Sequence, residues 1–273
     1  MSIIKKILFY TSKPITKKIN SLRNTHLGES CYIFGDGISI KWININNFNN
    51  KPAFALNNFY FHKDINNLDL RYLVIPEPWF FYPYNKMPKW SNKLLWRNKI
   101  NKMHKDIIKK NKITTFVSLS NYPILLLNKN VFYLFKIISD NKFYFQNDCI
   151  KENINPFAGS FTTAITIAIY MGFNEVLLIG CDYTHALSRK KHWYEKGFGI
   201  IEKNDNLYNK KFLEIVKKHI IIKTLTIEND SKLVESTTYT QYTGAEPKFR
   251  ENNELANKET LELLATWPGY SIF

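Results

Sequence analysis

Residues 155–194 read NPFAGSFTTAITIAIYMGFNEVLLIGCDYTHALSRKKHWY, and their order decides the fold. A small-residue turn leads into an apolar helix, the helix into a short strand, and the strand into a polar run with two histidines. Phe161, Ala164, Ile165, Ala168 and Ile169 share one helical face after Ser160, a natural N-cap, and Gly172 is placed to stop that helix. Residues 175–179 then form an apolar run of strand length. In an α/β protein this order brings a helix N-terminus and a strand C-terminus to one cleft, where such sheets bind ligands.

Working outward, four more apolar runs precede this stretch, at 30–34, 53–56, 72–75 and 114–119. Each ends in turn or polar residues: Gly35-Asp36-Gly37-Ile38-Ser39, Asn57-Asn58, Pro76-Glu77-Pro78 and Ser120-Asn121-Tyr122. Buried strands whose C-terminal ends line a site have this form. A Lys-rich helical segment is expected at 92–111, a helix at 209–218 and a strand at 220–227. The tail is polar from Glu235, with one helix over 252–266. Strands alternating with helices predict an α/β, doubly wound, mostly parallel sheet. The main domain spans 29–235, with a basic arm at 1–28 and a tail at 236–273.

The composition excludes several classes. With 45% hydrophobic and 15% aromatic residues, the 273-residue chain can bury a full core and is not disordered. No apolar run reaches the length of about 18 needed to span a bilayer. The basic start has only a short apolar patch and no small-residue cleavage site, so it does not read as a signal peptide. Cys31, Cys149 and Cys181 lack paired spacing, which fits buried thiols in a reduced, cytoplasmic protein.

The net charge is +15, and the joint abundance of Lys, Ile and Asn is what an AT-rich genome would produce. Basic residues still crowd 5–23 and 86–112, and a positive surface attracts anionic lipid, a phosphorylated donor or nucleic acid. Nucleic acid is disfavoured, because no zinc-finger spacing, RNA-binding aromatic motif or long basic helix is present. In the arm, Ile3, Ile4, Ile7 and Leu8 can share a helical face. Such a face either packs on the domain or attaches peripherally to a membrane.

Three motifs can carry chemistry. Glycines at Gly35 and Gly37 let backbone approach a ligand, although no third glycine completes a dinucleotide fingerprint. Asp36 would repel a phosphate and suits a ribose hydroxyl or a base amino group. Gly159 and Ser160 open a helix whose dipole favours an anion. Gly180-Cys181-Asp182-Tyr183-Thr184-His185 follows a strand, and His185 and His192 bracket Arg189-Lys190-Lys191. A histidine there can take a proton from a hydroxyl while the cations neutralise a phosphate leaving group. No Asp-x-Asp motif is present to anchor a metal, so no metal is expected and the leaving group's charge falls to side chains and backbone.

Across residues 30–233 these motifs resemble, in short identities, the bacterial lipooligosaccharide sialyltransferases that use CMP-sialic acid, and more widely MptE-like (hydroxymethylpterin diphosphokinase-like) proteins. The family's Gly-Asn-Gly-Pro-Ser turn is similar to Gly35-Asp36-Gly37-Ile38-Ser39, and its Cys-Asn-Gln-Phe-Tyr-Phe segment to residues 56–61. Its Thr-Ser-Gly turn and alanine-rich helix resemble Gly159-Ser160 and the helix that follows. Its Gly-Ile-Asp-Phe-Tyr resembles Gly180-Cys181-Asp182-Tyr183-Thr184. The chain departs at Asp36, where the family has asparagine, at Thr184, where it has a phosphate-binding tyrosine, and at Glu77, near another donor-binding asparagine.

The resemblance implies a Rossmann-like variant of the GT-A fold with a lid at about 184–208. It implies that the nucleotide of a CMP-sugar donor meets Gly35, Asp36, Gly37, Ser39, Asn57, Glu77, Gly159, Ser160, Asp182, Tyr183 and Thr184. His192 is the expected base, with Tyr194 at the leaving phosphate and His185 as second candidate. The expected activity is a metal-independent transfer of a sialic acid-like or other ulosonate sugar to a surface-glycan hydroxyl, near the inner face of the membrane. The alternatives are a diphosphokinase using ATP and a pterin, and a non-enzymatic basic binding protein.

Overall fold

Alternate residues of an extended chain point to opposite sides, so an apolar strand with both faces covered must serve two cores. In the strand Ser30–Phe34, Cys31 and Ile33 enter one core while Tyr32 and Phe34 enter the other, all fully buried. The computed structural model describes residues 3–78, 80–81, 99, 102–109, 113–126, 128–135, 159–185, 188–202, 207–228, 231, 233–265 and 271–273.

Ten strands are described: β1 (Ser30–Phe34), β2 (Ala53–Leu56), β3 (Leu70–Ile75), β4 (Thr114–Ser118), β5 (Val131–Leu134), β6 (Glu175–Ile179), β7 (Ser188–Lys190), β8 (Ile200–Glu202), β9 (Ile221–Thr226) and β10 (Glu235–Thr238). Eight form one sheet in the order β10-β9-β6-β1-β2-β3-β4-β5, with every pairing parallel. The antiparallel pair β7–β8 stands apart as a two-stranded ribbon. The chain winds outward from β1 to β5, then returns to β6 on the other side of β1. This is the expected α/β doubly wound architecture, with its switch point between β1 and β6.

The longer helices are α1 (Ile3–Thr16), α2 (Ser160–Met171), α3 (Leu207–Val216) and α4 (Lys258–Ala265). On one face, Ala164, Ile165 and Ala168 of α2 and Phe212 and Val216 of α3 share a core with Ile33, Val176 and Leu178. On the other, Ile40, Phe48, Trp193, Tyr239 and Leu264 share a core with Tyr32, Phe34 and Leu177. Each Val, Leu, Ile or Phe side chain among these contributes about 1.5–3 kcal/mol by leaving water.

Some expectations shift. Gly172 does end α2, with φ 88°, and the Phe173 amide reaches back to the Ala168 carbonyl at 3.1 Å. Ser160 is not the cap: the helix starts at Ser160, and Gly159, at φ 97°, holds the cap position. The single helix expected over 252–266 divides, because Ala256 is extended and the Asn257 side chain accepts from the Thr260 amide at 2.8 Å to start α4 afresh. Strands β5, β7, β8 and β10 were not anticipated. Glu235–Thr238 lies at the sheet edge, half-exposed, and so lacks an apolar signature. The 92–111 segment is described only at residues 99 and 102–109, which are helical, and Cys149 lies outside the described residues. No helix among the described residues is long and apolar enough to cross a membrane.

Candidate functional site

The cleft at the switch point is made by two strand ends that approach unusually closely. The Gly35 amide donates to the Ile179 carbonyl and the Gly37 amide to the Gly180 carbonyl, each at 2.8 Å. A Cβ on Gly35 would stand 2.5 Å from the Gly180 oxygen, and one on Gly37 equally close to that oxygen and to the Asp182 carboxyl carbon. These glycines therefore serve the packing of β1 against β6, a requirement separate from the ligand approach read from sequence. Gly180, at φ 67°, completes the junction.

A cavity of about 170 Å³ opens over this junction. Gly35, Asp36 and Gly37 come to its wall from the end of β1, Leu56 and Asn57 from β2, Ser160 and Phe161 from the head of α2, and Gly180 through Thr184 from β6. Arg189, Lys191 and His192 close it from the β7–β8 ribbon. Gly35, Asp36, Gly37, Asn57, Ser160, Asp182, Tyr183, Thr184 and His192 are thus brought together.

The floor is rich in acceptors. Asn57 adopts φ 46°, a left-handed conformation that asparagine tolerates better than most residues, and its amide nitrogen donates to Ser160 Oγ at 3.1 Å. Its Oδ1 is buried and accepts no hydrogen bond from the described residues. Asp36 accepts from the Asn58 amide through Oδ2 at 3.1 Å, while its buried Oδ1 is likewise unsatisfied. Burial pushes the Asp36 carboxyl up to about 7, against the opposing pull of His192, the Asn58 amide and the Trp193 indole. The indole N–H acts from outside hydrogen-bond geometry.

His192 is held from several sides. It forms an antiparallel bridge with Gly37, and the following amide, Trp193 N–H, donates to the Asp36 carbonyl at 3.1 Å. Its ring stacks on Tyr194 at 5.0 Å between centroids and 9° between planes. Nδ1 lies 2.9 Å from Glu195 Oε1. A carboxylate only accepts, so Nδ1 carries the proton of this bond. Glu195 is buried and also accepts from the His192 and Ser271 amides at 2.9 and 3.1 Å. Burial alone would raise its pKa, but these donors outweigh burial and hold it below the usual carboxylate range. Sequence reading missed Glu195; its spacing of three from His192 was the available signal.

The other expected residues lie elsewhere. Ser39 is buried outside the cavity wall, and its amide and hydroxyl both donate to the Asp182 carboxylate, the amide at 3.0 Å. Tyr194 is buried behind His192, its hydroxyl accepting from Asn58 Nδ2 at 3.3 Å. Glu77 is off the wall, its carbonyl taken by Asn121 at 3.1 Å. Gly159 precedes α2, where its carbonyl accepts from Thr163 Oγ1 at 2.7 Å. His185 lines a separate cavity of about 40 Å³ with Arg189 and Thr226. Among the described residues, no cluster of three or more His, Cys, Asp or Glu could hold a metal ion.

No protein-family model matches the chain, and no curated protein sequence matches it. Among solved structures, the MAf glycosyltransferase from Magnetospirillum magneticum AMB-1 is similar at 11% identity and a TM-score of 0.46, over 94% of this chain and 41% of that one. The chain thus spans less than half of that protein's length. The sialyltransferase CstII from Campylobacter jejuni, in complex with cytidine-5'-monophosphate, is similar at 16% identity and a TM-score of 0.44, over 88% of this chain and 99% of that one. The same enzyme with CMP-3FNeuAc gives 17% identity and a TM-score of 0.45, over 87% and 99%.

Proposed function

We propose that the chain is a glycosyltransferase that moves a sugar from a CMP-activated donor to an acceptor hydroxyl, with His192 as general base. The carrying observation is the polarity of the cavity. Its lining brings Asn57 and Asp36, each with a buried oxygen that no described residue satisfies, together with the cations Arg189 and Lys191. A ligand that suits both presents N–H or O–H donors at one end and negative charge at the other. A nucleotide has this polarity, with amino and hydroxyl groups on base and ribose and charge on the phosphate.

In the proposed reaction, His192 accepts the acceptor hydroxyl's proton as the new carbon–oxygen bond forms. The bond between the sugar carbon and the phosphate oxygen breaks, and both its electrons leave with cytidine monophosphate. With Nδ1 donated to Glu195, the proton transfer falls to Nε2, and Glu195 stabilises the imidazolium that forms. Arg189 and Lys191 meet the negative charge on the leaving phosphate.

Calorimetry with cytidine, uridine, guanosine and adenosine monophosphates tests the donor class. Cytidine monophosphate should bind most tightly. Selective binding of another nucleotide would overturn the donor assignment. His192→Asn should keep donor affinity and lose turnover by about 10²–10⁴-fold, the usual contribution of a general base.

A further inference from the structure

The β7–β8 ribbon carries an unusual surface. Phe198, Ile200 and Ile201 are 58%, 60% and 51% exposed, three large apolar side chains within four consecutive positions. Neighbouring strand residues point to opposite faces, so Ile200 and Ile201 leave apolar surface on both sides of the ribbon, Ile201 at the rim of the 40 Å³ cavity. The ribbon is braced against the domain. Gly199, at φ 77°, lies so close to Ile38 of the domain that a Cβ there would stand 2.9 Å from its Cγ2. Phe198 packs on Phe249 at 4.2 Å, and Arg189 lies over the Trp42 ring at 5.1 Å. Apolar residues on a ribbon braced in this way have not simply been left over from a core.

Lys190 and Lys196, both exposed and neither on the cavity wall, lie within the same ribbon and loop. We infer that the β7–β8 ribbon is a membrane-docking element that inserts Phe198, Ile200 and Ile201 edge-on into an anionic phospholipid surface. Two physical arguments favour lipid over protein. A fluid interface covers both faces of a ribbon together, whereas a protein groove covers one. A second copy of this chain would set the same cations against each other, while anionic headgroups complement them, each cation strengthening attachment about fivefold. Arg189 pairs with Ile201 in the ribbon and also lines the 170 Å³ cavity, so docking would bring the cavity to the lipid surface. This inference is independent of the transfer reading.

Sedimentation of the full chain with phosphatidylcholine vesicles, with and without phosphatidylglycerol, provides the test. The chain should bind the anionic vesicles, and Phe198→Ser/Ile200→Ser/Ile201→Ser should lose at least about tenfold in affinity, since each side chain loses its apolar burial. Ile201→Trp, which keeps the surface apolar, should bind as well as the parent, whereas Ile201→Ser should bind more weakly. These two single variants decide the matter if the triple variant fails to fold. Lys13→Ser/Lys17→Ser, in the arm, should leave binding largely intact. The inference is overturned if the parent does not bind anionic vesicles, if Ile201→Ser binds as the parent does, or if the arm variant alone abolishes binding. It is equally overturned if the parent forms a dimer that Ile201→Ser dissociates.

Discussion

Replacing Asp36 with asparagine should stabilise the protein, and more so as pH rises. Asp36 is partly buried with its Oδ1 out of reach of solvent, and burial raises the carboxyl's pKa from 3.8 to about 7. Between those values the folded state holds a proton that the unfolded chain has lost, so stability falls with rising pH across that window. At about 1.4 kcal/mol per pH unit, the ionised carboxylate is about 4 kcal/mol less favourable in the fold than in the unfolded chain. The full cost applies above about pH 7; at about pH 4.5 only about 1 kcal/mol of it is present. Asparagine keeps an acceptor for the Asn58 amide, which lies 3.1 Å from Asp36 Oδ2, and has nothing to ionise. Urea unfolding of both proteins at about pH 4.5, 6 and 8 should therefore show a gap that widens from about 1 to about 4 kcal/mol. In a melting curve at about pH 8 the gap corresponds to roughly 10 °C. A gap that does not change with pH would refute the argument, because it would place the Asp36 titration at an ordinary carboxylate value.

Three further outcomes follow from the site. Glu195→Gln keeps the shape of the side chain but only one acceptor oxygen, so it loses either the His192 or the Ser271 amide bond together with the charge that orients and stabilises the imidazole; kcat should fall about 10²-fold or more with donor affinity kept, and the pH–rate profile should move. An unchanged profile with only a stability loss would make Glu195 purely structural. Gly37→Ala drives a methyl group against the Gly180 oxygen and Asp182 at 2.5 Å, so unfolding free energy should drop by about 1–3 kcal/mol or more, read by urea titration. Asn57→Ala should destabilise more than Asn57→Gly, by about 1 kcal/mol, because the left-handed backbone at φ 46° is strained for alanine and not for glycine. Both variants should weaken binding of cytidine monophosphate in calorimetry.

Much of the architecture was legible because the physics is local. A buried parallel strand must be a short apolar run, and β1, β2, β3, β4, β6 and β9 were found on that basis within a residue or two. Glycine and polar residues mark where such runs stop, and the positions after β1, β2 and β6 meet in one cavity wall. The edge strand β10 escaped, since a half-exposed strand needs no apolar pattern. The roles of individual residues were less legible. Ser39 looked like a donor-binding residue but spends its hydroxyl and amide on Asp182, and Tyr194 looked like a phosphate ligand but supports the His192 ring from behind.

By itself, then, the sequence determined the order of the elements, the parallel doubly wound sheet and the polar strand ends that face its switch point, because periodicity and turn chemistry act between neighbours. Only the tertiary structure decided which distant groups share a charge environment. Gly37 and His192 meet across a β-bridge, Asp36 stands beside them on the cavity wall with its Oδ1 buried, and Glu195 takes the His192 proton donor. Burial and Coulomb interactions depend on distance in space, which no spacing along the chain records.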